Sequence, residues 1–130
     1  NAGFTTGEPW IKVNPNYEEI NVEDDRADDD SIWQYYQELI DLRSGNDVLV
    51  YGAYHLLYED HPEIYAYLRT IDEHGVLVVL NCFAHETTFS LPHHLDAPDP
   101  ELLISNYDDA GDDPEEFDLR PFEARVYRIS

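Results

Sequence analysis

Carboxylates are the commonest reactive groups in this chain, with 29 Asp and Glu among 130 residues. A pair of them is the machinery of glycoside hydrolysis, one acting as acid and the other as nucleophile or base. A general acid, however, needs an apolar pocket to raise its pKa. The two dense clusters, at 24–30 and 108–116, fall in stretches that read as loops, where solvated carboxylates stay ionised. No residue is therefore assigned a catalytic role. Calcium is the next chemistry such loops suggest, but Asp108, Asp109, Gly111, Asp112, Asp113 and Glu116 lack the ordered spacing of a calcium-binding loop. Zinc is no better served. His93 and His94 are adjacent and point apart on any strand, and His55, His61, His74 and His85 show no ligand spacing. Cys82 ends an apolar stretch, where a thiol behaves as a small hydrophobe. No glycine-rich phosphate loop or nucleophile elbow is present, so neither a metal nor a cofactor is expected.

The opening residues differ in kind. Gly3-Phe4-Thr5-Thr6-Gly7, Pro9-Trp10-Ile11 and Asn14-Pro15-Asn16-Tyr17 combine aromatic planes with small hydrogen-bonding side chains. A sugar ring asks for that combination, its apolar face stacking while its rim is bonded. A loop packed against a neighbouring domain asks for it equally, and composition leaves the two open.

Charge narrows the classes of partner. Seven Lys and Arg against 29 acids give 7 − 29 = −22, and protonating all six His would still leave −16. Such a surface repels phosphate backbones and anionic membranes, so neither nucleic acid nor membrane is an expected partner. No apolar run approaches the ~20 residues of a membrane span, and no leader pattern opens the chain. A lone cysteine forms no internal disulfide, and the expected setting is soluble and cytoplasmic. The acidity reads as a solvated, self-repelling surface or as adaptation to high salt. An acidic interaction module for a basic partner rests on charge alone. With 42% hydrophobic residues, ten Tyr, five Phe and two Trp, the chain is too apolar to be a disordered tail. Its length fits one domain, or one domain plus an appended piece. It holds no Met, so Asn1 is not a translation start and the chain is expected to be a fragment.

The elements that position these residues follow from periodicity. Residues 1–30, punctuated by Gly3, Gly7, Pro9 and Pro15 and closed by an acidic run, read as a long loop. Ser31 and Gln34 form a capping box, Ile32, Tyr36, Leu39 and Ile40 repeat at helical spacing, and Arg43 and Gly45 mark the end. The spacing predicts one helix over 32–44. From residue 46 the period switches to two. Ile64, Ala66 and Leu68 alternate with Tyr65, Tyr67 and Arg69, and Phe89 and Leu91 with Thr88 and Ser90. Phe122, Ala124 and Val126 alternate with Glu123, Arg125 and Tyr127. The continuous run Val76–Leu80 suits a central strand covered on both faces, and Asp72-Glu73-His74-Gly75 reads as a hairpin with Gly75 at positive φ. Seven or eight short strands imply a mainly β chain, an antiparallel β-sandwich preceded by the loop and the helix.

The residues also resemble a known family. Residues Asn1 to Ile11, then Val13-Asn14-Pro15-Asn16-Tyr17 and Ile20-Asn21-Val22, are similar to the stretch near the end of the catalytic barrel in oligo-1,6-glucosidases and related α-glucosidases of the α-amylase superfamily. The resemblance continues through Asp30-Ser31-Ile32, Tyr35-Tyr36, Leu39-Ile40 and Leu42-Arg43, then Val50-Tyr51-Gly52 and the stretch from Tyr65 to Thr70. It ends with Val78 to Asn81, Leu102 to Tyr107, Leu119 to Ala124, and Val126-Tyr127, so that it covers nearly the whole chain. The acidic 23–30 segment and Cys82-Phe83 depart from the family pattern. The resemblance implies that residues 1–45 are the terminal loop and last helix of a (β/α)₈ barrel and residues 46–130 the C-terminal β-domain of α-amylase type. It implies a parent that hydrolyses short α-glucosides with retention, its catalytic carboxylates lying on barrel strands that no stretch here matches. The fragment would then stabilise the missing barrel, its partner, and be inactive alone, with oligosaccharide reaching it only through the parent. Phe4, Thr5 and Trp10 would lie near that substrate. A helix without its barrel would expose Ile32, Trp33 and Tyr36, through which the chain is expected to self-associate. The competing expectation is a stand-alone carbohydrate-binding sandwich, which needs a flat aromatic row on one face.

Overall fold

A computed structural model describes residues 1–129 of the chain. They fall into two compact units, residues 1–40 and the chain from Asp41 onward.

In the first unit residues 1–20 run through turns and bends without regular elements. The acidic segment, expected as loop, contains a short helix α1, Val22–Ala27. Its cause is Asn21, whose side chain accepts the Asp24 N–H at 2.9 Å, with Glu23, Asp24 and Asp25 stacked on the positive helix end. Helix α2, Ile32–Ser44, has the predicted bounds. The Ser31 hydroxyl accepts the Gln34 N–H at 3.2 Å and donates to the Asp25 carbonyl at 2.5 Å, so one residue ends α1 and starts α2. Ser31 is the sole buried residue in this unit, which thus has no apolar core of its own.

The second unit is built on an antiparallel sheet in the order β1-β2-β3-β7-β5, beside a two-stranded sheet β4-β6. The strands are β1 Ala53–Leu57, β2 Ile64–Ile71, β3 His74–Asn81, β4 Thr87–Ser90, β5 Glu101–Ser105, β6 Glu116–Leu119 and β7 Ala124–Arg128. As the alternation predicts, Ile64, Ala66 and Leu68 turn inward, where they meet Leu77, Val79 and Tyr127 of the large sheet and Phe89 and Leu119 of the small one. Strand β3 is covered on both faces, Leu77 and Val79 in that core and Val76 and Val78 in a second one with Leu49 and Val126.

Three expectations are corrected here. After Gly45 the chain first forms α3, Asp47–Tyr51, where the Asn46 side chain accepts the N–H groups of Val48 and Leu49 at 3.0 and 3.3 Å. Apolar, β-branched DVLVY favours a strand, but the cap and the burial of Leu49 in the second core prevail. The β2–β3 hairpin closes over Asp72 and Glu73, with positive φ at Asp72 (51°), while Gly75 lies inside β3 opposite Thr70. Asp tolerates the left-handed region, so no glycine is needed there. Strand β7, expected to be half-buried, is covered on both faces, with Val126 in the second core. Phe122 precedes it at φ 57° and is exposed, whereas Glu123, Arg125 and Tyr127 are buried, because Tyr127 pairs with Leu77 and Arg125 with Val79.

Candidate functional site

The opening loop is shaped by its own small residues. The Asn1 side chain donates to the carbonyls of Thr5 at 3.1 Å and Gly7 at 2.9 Å, and the Thr5 hydroxyl accepts the Gly7 N–H at 3.1 Å. These bonds curl residues 1–7 into a hook and leave the aromatic side chains outside it. Phe4 is 84% exposed and Trp10 93%. Within this unit, residues 2–24 enclose a hollow of about 1190 Å³, and Phe4, Thr5 and Trp10 all line it. Lys12, the chain's one lysine, and Asn14, Asn16 and Asn21 line it as well. Asn14 and Asn16 belong to the small-plus-aromatic segments that the sequence singles out, whereas Lys12 and Asn21 lie outside them. The hollow thus offers aromatic faces, amide donors, one ammonium group and the carboxylates of Glu8, Glu18, Glu23 and Asp24, a set suited to a neutral polyol or to the side chains of an adjoining protein surface.

The acidic clusters do other work. Asp24 accepts from the Asn21 amide at 2.8 Å, and Asp28 from the Asp30 N–H at 3.0 Å. Asp113 accepts the Glu115 N–H at 2.9 Å, Asp109 pairs with Arg120 at 2.6 Å, and Glu116 accepts the Ser90 hydroxyl at 3.1 Å. These are caps, turn closures and cross-strand bonds. Among the described residues no three His, Cys, Asp or Glu are placed to hold a metal ion.

Among the described residues three carboxylates have a displaced protonation equilibrium, all toward the anion. A hydrogen bond from His85 at 2.9 Å, followed by one from Thr87, lowers the pKa of Glu63. The Arg120 guanidinium lowers that of Asp109. Burial would raise Glu123, but hydrogen bonds from Arg120 and Arg125 outweigh it and hold the carboxyl at about 2. A general acid requires the opposite shift. The Glu123 cluster is structural: Arg120 Nε reaches Oε2 at 3.0 Å, Arg125 Nε reaches Oε1 at 2.7 Å, and Arg125 lies over the Phe117 ring, joining β7 to β6.

Comparison with known proteins gives this arrangement its class. Residues 54–126 match the C-terminal domain of maltogenic amylase, and residues 1–52 match the catalytic domain of α-amylase. The chain belongs to this α-amylase superfamily, its sandwich being the maltogenic amylase C-terminal domain. It is 49% identical to an oligo-1,6-glucosidase of Bacillus cereus over 98% of its own length and 50% identical to one of Parageobacillus thermoglucosidasius over 99%. It is 42% identical to a trehalose-6-phosphate hydrolase of Bacillus subtilis over 100%. Each match spans 23% of the relative, so the chain corresponds to about a quarter of these proteins. The crystal structure of Bacillus licheniformis trehalose-6-phosphate hydrolase superimposes with a TM-score of 0.94 at 42% identity, over 100% of this chain and 24% of that one. That of an isomaltulose synthase from Klebsiella gives 0.91 at 37%, over 99% and 23%.

Proposed function

We propose that this chain serves as the C-terminal part of a retaining α-glucosidase of oligo-1,6-glucosidase type, acting on short α-glucosides in the cytoplasm. The observation that carries the reading is near-half identity to oligo-1,6-glucosidases along 98% of the chain, in a match restricted to 23% of the relative. In this reading residues 1–45 complete a catalytic barrel and residues 46–130 form the β-domain that stabilises it. The 130-residue chain is inactive alone, since no acid–nucleophile pair is assembled on it. Phe4, Thr5 and Trp10 border the substrate in the complete enzyme, and their exposure here supports the idea that other residues of the enzyme face them. Ile32 and Tyr36 are exposed on α2, with Trp33 partly covered by Arg26, and through them the isolated chain self-associates.

The test is release of p-nitrophenol from p-nitrophenyl α-glucoside by the 130-residue chain and by the full-length product of its gene. Activity confined to the longer protein supports the proposal. Turnover by the short chain would sink it and direct attention to the carboxylates at 24–30 and 108–116.

A further inference from the structure

The outer face of the large sheet is half covered. Leu42 in the last turn of α2, and Val48 and Leu49 of α3, pack on Val76, Val78 and Val126. Arg69 ties the same segment down by donating to the carbonyls of Val48 at 3.2 Å and Gly52 at 2.8 Å. Toward the β1 edge the covering stops. The register sets Tyr54 opposite Arg69 and Leu56 opposite Tyr67, and Tyr65 lies two residues before Tyr67, so these side chains share that face. Tyr54 is 48% exposed and Tyr65 45%, with Leu56 beside them at 42%.

This patch is ordered as an interface rather than as a solvated surface. The Tyr67 ring lies 5.3 Å from that of Tyr54 and 5.7 Å from that of Tyr65, and the hydroxyls of Tyr54 and Tyr65 are 2.8 Å apart. Each ring is therefore held before anything binds, which lowers the entropy lost on docking. One hydroxyl proton joins the pair and the other is left to donate. The hydrogen bond to Tyr65, and then burial, push the pKa of Tyr54 up to about 12, so that Tyr54 keeps its proton.

Resting on the functional reading above, we infer that Tyr54, Leu56 and Tyr65 dock against the catalytic body of the complete enzyme, with the paired hydroxyls donating their free proton to an acceptor on that body. Continuity supports this occupant. The residues that cover the near half of the face, Leu42, Val48 and Leu49, all belong to the stretch matched by the α-amylase catalytic domain. The relatives hold most of their length outside the matched region. A saccharide would want coplanar rings, whereas Tyr67 is tilted 36° from Tyr54 and 56° from Tyr65.

The experiment is hydroxyl-radical footprinting read by mass spectrometry, on the 130-residue chain and on the full-length gene product, with exposed His93 and His94 as references. Docking predicts several-fold lower oxidation of Tyr54 and Tyr65 in the longer protein, with the references unchanged. Equal oxidation in both overturns it. Protection in the short chain that grows with its concentration, or on adding maltotriose, overturns it in favour of a second copy or of a saccharide. Tyr65→Glu in the longer protein should split one thermal transition into two while leaving the melting of the 130-residue variant unchanged; an unsplit transition counts against docking. p-Nitrophenol release from the same samples separates the two readings. An active enzyme with unprotected tyrosines loses only the docking, and an inactive one with protected tyrosines loses only the glucosidase assignment.

Discussion

Glu123 illustrates what a single residue decides in this fold. Its side chain is fully buried, and two guanidinium groups and the Arg120 N–H satisfy its oxygens. Removing it by Glu123→Ala leaves Arg125 buried without its countercharge, a loss of about 3–5 kcal/mol for broken buried pairs. Urea unfolding followed by circular dichroism should show that drop, and Asp109→Ala, at the exposed end of the network, should cost far less. The pH dependence follows from the depressed pKa. The carboxylate stabilises the fold fully above the ordinary Glu value near 4.3, and that contribution is lost as pH falls toward about 2. Wild type should therefore lose stability steeply between those values, and Glu123→Gln should show a shallower acid limb. Alternation hid this residue. Hydropathy sends charges outward because an unpaired buried charge is costly, and it is blind to a partner three residues away that removes the cost.

Among elements, α3 is the clearest case of tertiary packing overriding propensity. Five residues make little more than one turn, too short to stand alone, and depend on Asn46, on Leu49 in the core and on the close return at Gly52. A Cβ built on Gly52 would fall 2.3 Å from the Val48 carbonyl oxygen. Gly52→Ala is expected to displace α3 and lower the melting temperature by several degrees, more than Asn46→Ala, which removes a cap worth about 1 kcal/mol. Differential scanning calorimetry on both variants gives the ranking, and an unchanged Gly52→Ala melt would discount the close return. Helix α2 was legible from its helical spacing, strand β2 from its alternation and strand β3 from its continuous apolar run. The β2–β3 turn was legible as a turn but not in its detail, since Asp72 and Gly75 are both residues that such turns accept.

For the whole molecule, legibility had two sources. The sandwich follows from half-buried strands and a doubly covered central one, which physics alone supplies. The meaning of Phe4, Thr5 and Trp10 does not, because exposed aromatics in a loop without a core fit a sugar and a protein neighbour equally well. Only resemblance to longer enzymes favours a reading. Charge makes its own prediction at this scale. Carboxylates repel across a surface of net −22, and salt at about 1 M shortens the screening length from ~10 Å in 0.1 M to ~3 Å. The melting temperature should rise with salt in wild type, while the loss in Glu123→Ala, being a buried effect, should persist at every salt concentration.

The six arginines share one circumstance. Arg26 lies over Trp33, Arg43 and Arg69 bond carbonyls around α3, and Arg120, Arg125 and Arg128 pair with acids. Each has an intramolecular partner, whereas among the described residues many of the acids have none. In evolutionary terms the cations are under selection through folding, whereas many anions are free to drift. The electrophoretic mobility of related chains should therefore vary widely, through gain and loss of Asp and Glu at positions such as 29 and 30, while these arginines stay in place.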